Sequence, residues 1–320
     1  MTPVLSNTLG RTFTACSVRL DDPPDTSEGV AAFRIRFFQF LLILHAAAET
    51  WAVVIKNYET PWLTLPPTGV ACAAVALSLA AAVSVTPVGR WGAWIALPCY
   101  AWFAAMTWPW TPNHIFLALV CLLFVALLNP SCGNERRLLL KSLRWIAAVV
   151  FFYAGLQKAL YGYWFGGEYL AWMLTHGHEN WANTFGWLVP AEELERLAAL
   201  GQEPGAGPYR FTSWPMLLLA NGIYVGEMAL GVLLLFRHTR APAALLMIAG
   251  TFLLQIAPRE FMFAMLYTNL LLLFLPPSAA LRRILIVVAL PLFVAGYALL
   301  LLALSGADPI QFLLKPNGHL

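Results

Sequence analysis

The chain contains nine apolar blocks, each close to the length that a helix needs to cross a lipid bilayer. They lie at about 33–55, 65–86, 91–108, 113–130, 143–162, 214–236, 241–257, 261–275 and 282–304. Roughly 20 apolar residues are needed to cross a hydrocarbon core about 30 Å thick as a helix. A chain in lipid must also satisfy its backbone hydrogen bonds internally. The sequence therefore predicts an all-α fold, a polytopic transmembrane helical bundle of about nine spans.

The composition agrees with a membrane protein. Hydrophobic residues make up 60% of the 320 residues and charged residues only 11%, with a mean hydropathy of +0.70. The net charge of +3 comes without a basic cluster, which argues against nucleic acid as a partner. Membrane lipids are the expected surroundings.

The basic residues predict the orientation. With a cytoplasmic N-terminus, 13 of the 19 Lys and Arg residues fall on the inner side, five fall on the outer side, and Lys158 is left inside a helix. The five on the outer side are Lys56, Arg196, Arg210, Arg259 and Lys315. Positive charge is enriched in cytoplasmic loops. We expect a multi-pass protein of a bacterial inner (plasma) membrane with its N-terminus inside.

Three regions follow from this topology. Residues 1–28 have no apolar region of the kind found in signal peptides, so they are expected to form a cytoplasmic tail. Residues 29–305 form the transmembrane domain, including one long outer loop at 163–213, and residues 306–320 form a short tail that we expect to be non-catalytic. Within the loop, PAEELERLAAL predicts a surface helix with acidic residues in its first turn.

The five cysteines form no CxxC pair, no zinc spacing is present, and no metal site is predicted.

Lys158 is the most unusual residue of the apolar blocks. It lies 14 residues beyond the inner marker Arg144, which places it roughly 21 Å up its helix, in the outer third of the membrane. Other polar residues are expected near this level: His45 and Glu49 on one helix face, Asn113 and His114 at the start of a span, Arg259 and Glu260 in a turn, and Glu168 after the fifth span. These intramembrane polar groups predict a site in the outer half.

Each of these residues also has a structural explanation. Lys158 can extend its ammonium group to the headgroups, Asn113 suits a helix N-cap, and His45 with Glu49 suits a buried packing pair. Glu227 in NGIYVGEMALG suits a hydrogen-bonding centre or a proton carrier. The tryptophans, including Trp164, suit interface anchors.

Three segments together resemble a known family. FFYAGLQKALYGYW with Arg144 upstream and FGGEYL after it, TPNHIFLALVCLLFVALL, and VAAFRIRFFQFLL occur in that order. They resemble the vitamin K-dependent γ-glutamyl carboxylases and their shorter bacterial relatives, the HTTM-domain proteins. The similarity covers most of residues 30–275. The chain departs from the pattern at RWIAAVV, which is apolar where the family often has glutamine, and at Phe151, where the family has tyrosine.

The resemblance implies a quinol-linked enzyme. In the family the lysine that matches Lys158 deprotonates a reduced quinone, and the pair that matches Asn113 and His114 belongs to the same site. The implied cofactor is a menaquinone-like or vitamin K-like hydroquinone, with O2 and CO2 as co-substrates and a secreted peptide or small molecule as substrate. We expect Lys158 and His114 to be catalytic, with five residues contacting or tuning the quinol: Asn113, His45, Glu49, Trp164 and Glu168.

Two other functions fit the same sequence. One is a non-catalytic membrane partner for the export of, or immunity to, a secreted peptide. The other is a DoxX-like quinone-linked redox subunit.

Overall fold

A computed structural model describes residues 28–56, 59–60, 63–64, 67–86, 88–108, 111–162, 164–176, 186–200, 209–256 and 261–305. Within these ranges the regular structure is helical except for one antiparallel pair of two-residue strands, β1 (Glu59–Thr60) and β2 (Leu63–Thr64). The all-α prediction is confirmed for this part of the chain. The predicted turn at Arg259 and Glu260 and the two tails at 1–27 and 306–320 lie outside the described residues.

The helices follow the apolar blocks closely. In chain order they are α1 (Glu28–Lys56), α2 (Pro67–Ser84), α3 (Arg90–Met106), α4 (Asn113–Leu127), α5 (Gly133–Tyr161), α6 (Glu168–Thr175), α7 (Ala191–Ala198), α8 (Trp214–Leu233), α9 (Arg240–Ile256), α10 (Phe261–Leu272), α11 (Ala279–Ile284) and α12 (Leu290–Leu304). A 3₁₀ turn (Gly186–Leu188) precedes α7, and a π-helical turn (Leu285–Ala289) joins α11 to α12.

Four helical segments of the described chain are long and apolar enough to cross a membrane. They are Glu28–Lys56, Gly133–Tyr161, Trp214–Leu233 and Ala279–Leu304, and further apolar helices are shorter. In the last two, only 22% of the most apolar window is buried inside the protein. Apolar residues that face outward over such lengths are compatible with contact to lipid. Helix α5 contains most of the fifth apolar block and begins ten residues before it, at Gly133. The helix extends N-terminally into polar sequence. Glu135 lies in its first turn, where a negative charge stabilises a helix.

The described residues divide into two compact units. One contains residues 144–250 and 256, and the other contains residues 28–143, 251–255 and 261–305. In the second unit, α1 is central and packs against α2, α3, α4, α10, α11 and α12. Its buried residues include Ile35, Leu41, Leu42 and Ile43, so one long helix organises this core.

Helices α2 and α3 pack at close range through a glycine. A Cβ atom added to Gly92 would lie 2.5 Å from the carbonyl oxygen of Ala80. Backbone at this distance leaves no room for a larger residue. The glycine thus fixes how closely the second and third helices of this unit approach.

The described parts of the predicted outer loop, residues 164–176, 186–200 and 209–213, are packed together in the first unit. Leu170, Leu174, Leu197, Tyr209 and Phe211 form a buried core between α6, α7 and the residues before α8. The surface helix predicted from PAEELERLAAL is confirmed as α7, with Glu192 and Glu193 in its first turn. The same core includes Met216 and Ala220 of α8, so this segment is packed against the start of that helix.

Glu193 connects α7 to the start of α8. Its carboxylate accepts hydrogen bonds from the backbone N–H of Thr212, from the Thr212 hydroxyl at 2.7 Å and from the backbone N–H of Ser213 at 3.0 Å. Arg196 lies 3.5 Å away. Burial raises the pKa of the Glu193 carboxyl, but the Thr212 and Ser213 hydrogen bonds and Arg196 outweigh this effect, so the net pKa is lowered. The charged form of Glu193 is the form that stabilises this junction.

We expect Glu193→Gln to lower the free energy of unfolding by about 1–3 kcal/mol at neutral pH, because an amide NH₂ replaces an acceptor of several bonds. Because the pKa of Glu193 is lower in the folded protein than its unfolded value of 4.5, its carboxylate contributes stability that is complete above pH 4.5. This stability is lost as the pH falls through the folded-state pKa. The difference between the two proteins should therefore shrink as the pH falls below 4.5.

Thermal unfolding of the purified chain in detergent at a series of pH values measures this difference. Glu192→Gln is the matched control, because Glu192 is the exposed neighbour in the same turn. An effect of Glu193→Gln that is no larger than that of Glu192→Gln, or that does not depend on pH, would contradict the assigned role.

Candidate functional site

Helices α5 and α8 approach each other closely at two glycines. A Cβ atom added to Gly155 would lie 2.5 Å from the carbonyl oxygen of Tyr224, and one added to Gly231 would lie 2.9 Å from the backbone nitrogen of Phe152. Only glycine allows backbones to approach at these distances, and small residues are the common means of close helix packing in membranes. The glycine of AGLQK therefore brings α8 within reach of the lysine one turn later.

Lys158 on α5 forms an ion pair with α8 at this close helix contact. Its Nζ atom donates to both carboxylate oxygens of Glu227, at 2.5 and 2.7 Å. The two side chains remain 26% and 24% exposed, so the pair is accessible from one side. The indole ring of Trp164 lies over the ammonium group, with 5.2 Å from Nζ to the ring centroid, a distance at which a cation is attracted to the aromatic face.

A glycine turn after α5 brings Trp164 back over Lys158. Gly162 and Gly167 have positive φ angles of 74° and 69°, which glycine adopts without strain. Asn221 on α8 holds this turn by donating from Nδ2 to the carbonyl oxygen of Phe165 at 3.2 Å. Trp164 stacks on Tyr169 with ring centroids 5.1 Å apart. The result is a flat aromatic surface beside the ion pair.

A second polar cluster lies in the other unit, around Glu49 on α1. One carboxylate oxygen of Glu49 lies 2.6 Å from Nε2 of His114, and the other accepts a hydrogen bond from the hydroxyl of Tyr100. Glu49 and Tyr100 are buried, and the side chain of His114 is 16% exposed. Three helices thus contribute one acid, one imidazole and one phenol to a single buried centre.

His45 extends this cluster toward α12. Its Nδ1 atom lies 3.0 Å from the hydroxyl oxygen of Tyr297, and its Nε2 atom lies 3.8 Å from Glu49. The residue is 1% exposed, and Nε2 has no hydrogen-bond partner within the described part of the chain. A tyrosine hydroxyl that donates to Nδ1 leaves the proton on Nε2, where it faces the carboxylate. This tautomer is the electrostatically favoured one when Glu49 is ionised.

The same reasoning assigns the proton of His114. An ionised Glu49 can only accept, so Nε2 of His114 must carry a hydrogen, and Nδ1 of the neutral ring is then an acceptor. A carboxylate that fixes the tautomer of a histidine in this way also prepares the other nitrogen to take a proton. The Glu49–His114 pair is therefore a carboxylate–imidazole dyad.

The predicted residues occupy several environments. Lys158 and Trp164 lie together in the first unit, and His45, Glu49 and His114 lie together in the second. The prediction that Lys158 and His114 share one site stays a prediction.

Asn113 and Glu168 are the other two predicted site residues. Asn113 is exposed and is the first helical residue of α4, while Pro112 occupies the N-cap position, so Asn113 does not cap this helix with its side chain. Glu168 forms an ion pair with Arg210 at 2.9 Å, with the Arg210 side chain 68% exposed. This ion pair joins the start of α6 to the residues before α8. The expected contacts of Asn113 and Glu168 with a quinol stay predictions.

Sequence reasoning missed three partners in these clusters. Glu227 was noted in its span but not paired with Lys158, and Tyr100 and Tyr297 were not considered. The signal available for Glu227 is an acidic residue in an apolar helix, which requires a partner. The tyrosines give no comparable signal, because tyrosine is common in apolar helices and its hydroxyl role depends on which helices pack together.

Comparison of the chain with models of known protein families, with curated proteins and with solved structures finds no match. Within the described residues, no group of three or more His, Cys, Asp or Glu side chains is arranged to hold a metal ion. The two clusters are therefore interpreted from their own chemistry.

We expect Lys158→Met and Glu227→Leu each to lower the unfolding midpoint, because each leaves a half-buried charge without its partner. The double variant should recover much of the loss, because no unpaired charge remains. A coupling energy of about 0.5–3 kcal/mol is expected. Thermal unfolding of the four proteins of this cycle in detergent measures it.

The surface pair Arg210–Glu168 is the matched control. Because Arg210 is largely exposed, the corresponding cycle with Arg210→Met and Glu168→Gln should give a coupling below about 1 kcal/mol. Strictly additive effects at Lys158 and Glu227 would contradict the ion pair.

Proposed function

We propose that the chain is a multi-pass membrane protein with about nine spans, an inner-side N-terminus and the α6–α7 segment outside. Three observations support this topology. The predicted apolar blocks coincide with helices, four segments have the length and hydropathy of membrane spans, and the Lys and Arg residues are distributed asymmetrically. A bacterial inner membrane is the proposed location.

We further propose that the chain is an enzyme that removes a proton from a reduced quinone, in the manner of the HTTM-domain and vitamin K-dependent carboxylase family. The observation that carries this proposal is the Lys158–Glu227 pair, which is partly exposed and lies beside Trp164. Charged residues inside apolar helices are rare because they are energetically unfavourable, and they usually mark a functional site. The residue types here suit a flat, weakly acidic ligand.

The side chains fit a quinol headgroup. Stacked Trp164 and Tyr169 provide a flat aromatic surface, and the exposed quarter of the Lys158 and Glu227 side chains leaves their charged groups accessible. Aromatic rings stack in offset or edge-to-face geometries. A bound reduced quinone would supply a weakly acidic hydroxyl group, and O2 and CO2 are the co-substrates that the family resemblance implies. Trp164 would orient the ring, and Lys158 with Glu227 would face the hydroxyl.

Lys158 and Glu227 act as a single base in this proposal. The pair carries one shared proton, whether it is written as ammonium and carboxylate or as amine and carboxylic acid. In this proposal the pair is an ammonium and a carboxylate before the quinol binds, and the exclusion of water on binding then favours the neutral form, because low dielectric disfavours separated charges. When the pair takes a second proton, Lys158 is an ammonium and Glu227 is a carboxylic acid. Lysine alone, held charged by an ionised glutamate, would not accept a proton.

The Glu49–His114 dyad is the second proposed proton-handling group. Glu49 is buried, so it orients His114, while the partly exposed ring of His114 presents Nδ1 as an acceptor. Tyr100 and His45 complete the hydrogen bonding around the carboxylate. In this role His114 receives or returns a proton, and Glu49, His45 and Tyr100 position it.

The proposed substrate is a peptide or small molecule at the outer membrane face. Carboxylation is the modification that the resemblance suggests. The competing functions, a non-catalytic partner in peptide export or immunity and a DoxX-like redox subunit, do not require a base at Lys158. They become the preferred interpretations if the base has no role in turnover.

We expect Lys158→Arg to abolish turnover as completely as Lys158→Ala, with a loss of about a hundredfold or more, because arginine stays protonated at neutral pH. Arginine also pairs well with a carboxylate, so this variant should remain folded. Glu227→Gln should lower turnover similarly, because the amide cannot hold the second proton. Oxygen-dependent oxidation of menaquinol in reconstituted membranes, at matched amounts of folded protein, measures the effect.

Lys141→Arg is the control, since Lys141 is a lysine of the same helix α5 that lies in the other unit. It should leave turnover unchanged. An active Lys158→Arg variant would overturn the base assignment and favour a structural role for the ion pair.

A further inference from the structure

A small polar cavity lies at one end of the second unit. It is formed near the start of α1, at the end of α2, just before α3 and just after α4. Its lining includes Arg36, Gln39, Ser84, Arg90, Asn129 and Ser131. All of these positions are at the opposite end of α1 and α4 from Glu49 and His114, so the cavity is separate from the proposed proton-handling cluster.

The lining of the cavity is held in place by hydrogen bonds. Gln39 is 2% exposed and donates from Nε2 to the carbonyl oxygen of Gly89 at 2.7 Å. The backbone N–H of Ser131 donates to the side-chain oxygen of Asn129 at 3.0 Å, and Arg36 donates to the hydroxyl of Ser131 at 3.3 Å. These bonds order the lining before a ligand enters, which lowers the entropic cost of binding.

The cavity is positively charged. Two guanidinium groups, those of Arg36 and Arg90, contribute to its lining, and no carboxylate does so among the described residues. The nearby carboxylate of Glu135 accepts a hydrogen bond from the backbone N–H of Asn129 at 2.7 Å. Guanidinium groups present planar sets of donors that match phosphate oxygens. The chemistry of the lining selects an anion with several oxygens.

The surroundings indicate that this anion belongs to a lipid. The cavity has a volume of about 30 Å³, and one water molecule needs about 10–15 Å³ of such space, so it admits a small group such as a phosphate but not a bulky ligand. Val85, Val88 and Trp91 lie beside it in the chain and are 67%, 58% and 64% exposed. Tryptophan is enriched at membrane interfaces, and basic pockets at the inner ends of spans bind anionic headgroups.

We propose that this cavity binds the phosphate of an anionic phospholipid of the inner leaflet, such as phosphatidylglycerol. Arg36 and Arg90 hold the phosphate oxygens, Gln39 and Ser131 keep the lining in place, and the acyl chains lie along the exposed apolar residues of the α2–α3 turn. This site rests on the proposed topology, which puts this end of α1 at the inner face, and does not depend on the proposed quinol chemistry.

Native mass spectrometry of the full-length protein, extracted from membranes with equal amounts of phosphatidylglycerol and phosphatidylcholine, tests the proposal. The wild-type protein should retain phosphatidylglycerol at least about tenfold over phosphatidylcholine. The Arg36→Gln/Arg90→Gln variant should lose this preference, and the Arg36→Lys/Arg90→Lys variant should keep part of it. Arg137→Gln, which removes an exposed positive charge from α5 outside the cavity, should behave like wild type.

Three results would overturn the proposal. The first is equal retention of the two lipids by the wild-type protein, a measurement that does not require any variant to fold. The second is an equal loss of preference in Arg137→Gln, which would indicate general surface charge. The third is displacement of phosphatidylglycerol by inorganic phosphate at an equal concentration, which would show that the cavity takes the free anion.

Discussion

Charged and hydrogen-bonding groups on apolar helices need partners, and this requirement accounts for the arrangement of both units. An unpaired charge in a low-dielectric environment costs several kcal/mol. In the first unit, Lys158 and Glu227 satisfy one another across two helices. In the second, Glu49 satisfies the requirement with His114 and Tyr100. Each polar pair therefore fixes which helix faces meet.

The ion pair depends in turn on backbone geometry. Gly155 and Gly231 allow α5 and α8 to come close enough for a lysine and a glutamate to form two short hydrogen bonds. The positive-φ glycines at 162 and 167 then bring Trp164 over the lysine. A membrane helix that carries a lysine without these glycines would have to extend its side chain to the headgroups. The glycines are what make a partly enclosed lysine site possible.

Much of the fold was predictable because long apolar runs indicate helices. The nine apolar blocks and the surface helix at α7 correspond to helices, and His45 with Glu49 could be placed on one face from their spacing alone. Helix α5 begins ten residues before its apolar block, because its first turns are polar and carry no hydropathy signal. Hydropathy identifies the apolar core of a helix better than its ends.

The partners in the sites were less predictable, since they join residues far apart in sequence. Lys158 and Glu227 are 69 residues apart, and His45 and Tyr297 are 252 apart. Neither spacing nor composition specifies which helices become neighbours. Asn113 shows the converse problem: its sequence context suits a capping residue, but the cap position belongs to Pro112, whose extended backbone suits the entry to a helix.

The most direct test of proton transfer to the Lys158–Glu227 pair is infrared difference spectroscopy of the membrane-reconstituted protein on anaerobic addition of a reduced menaquinone analogue. Proton transfer to the pair predicts that the wild-type protein gains the carbonyl absorption of a protonated carboxylic acid, that this band shifts in D₂O, and that it is missing in Glu227→Gln. A spectrum without this gain, or the same gain in Glu227→Gln, would show that the pair does not take the proton and that its role is to hold the two helices together.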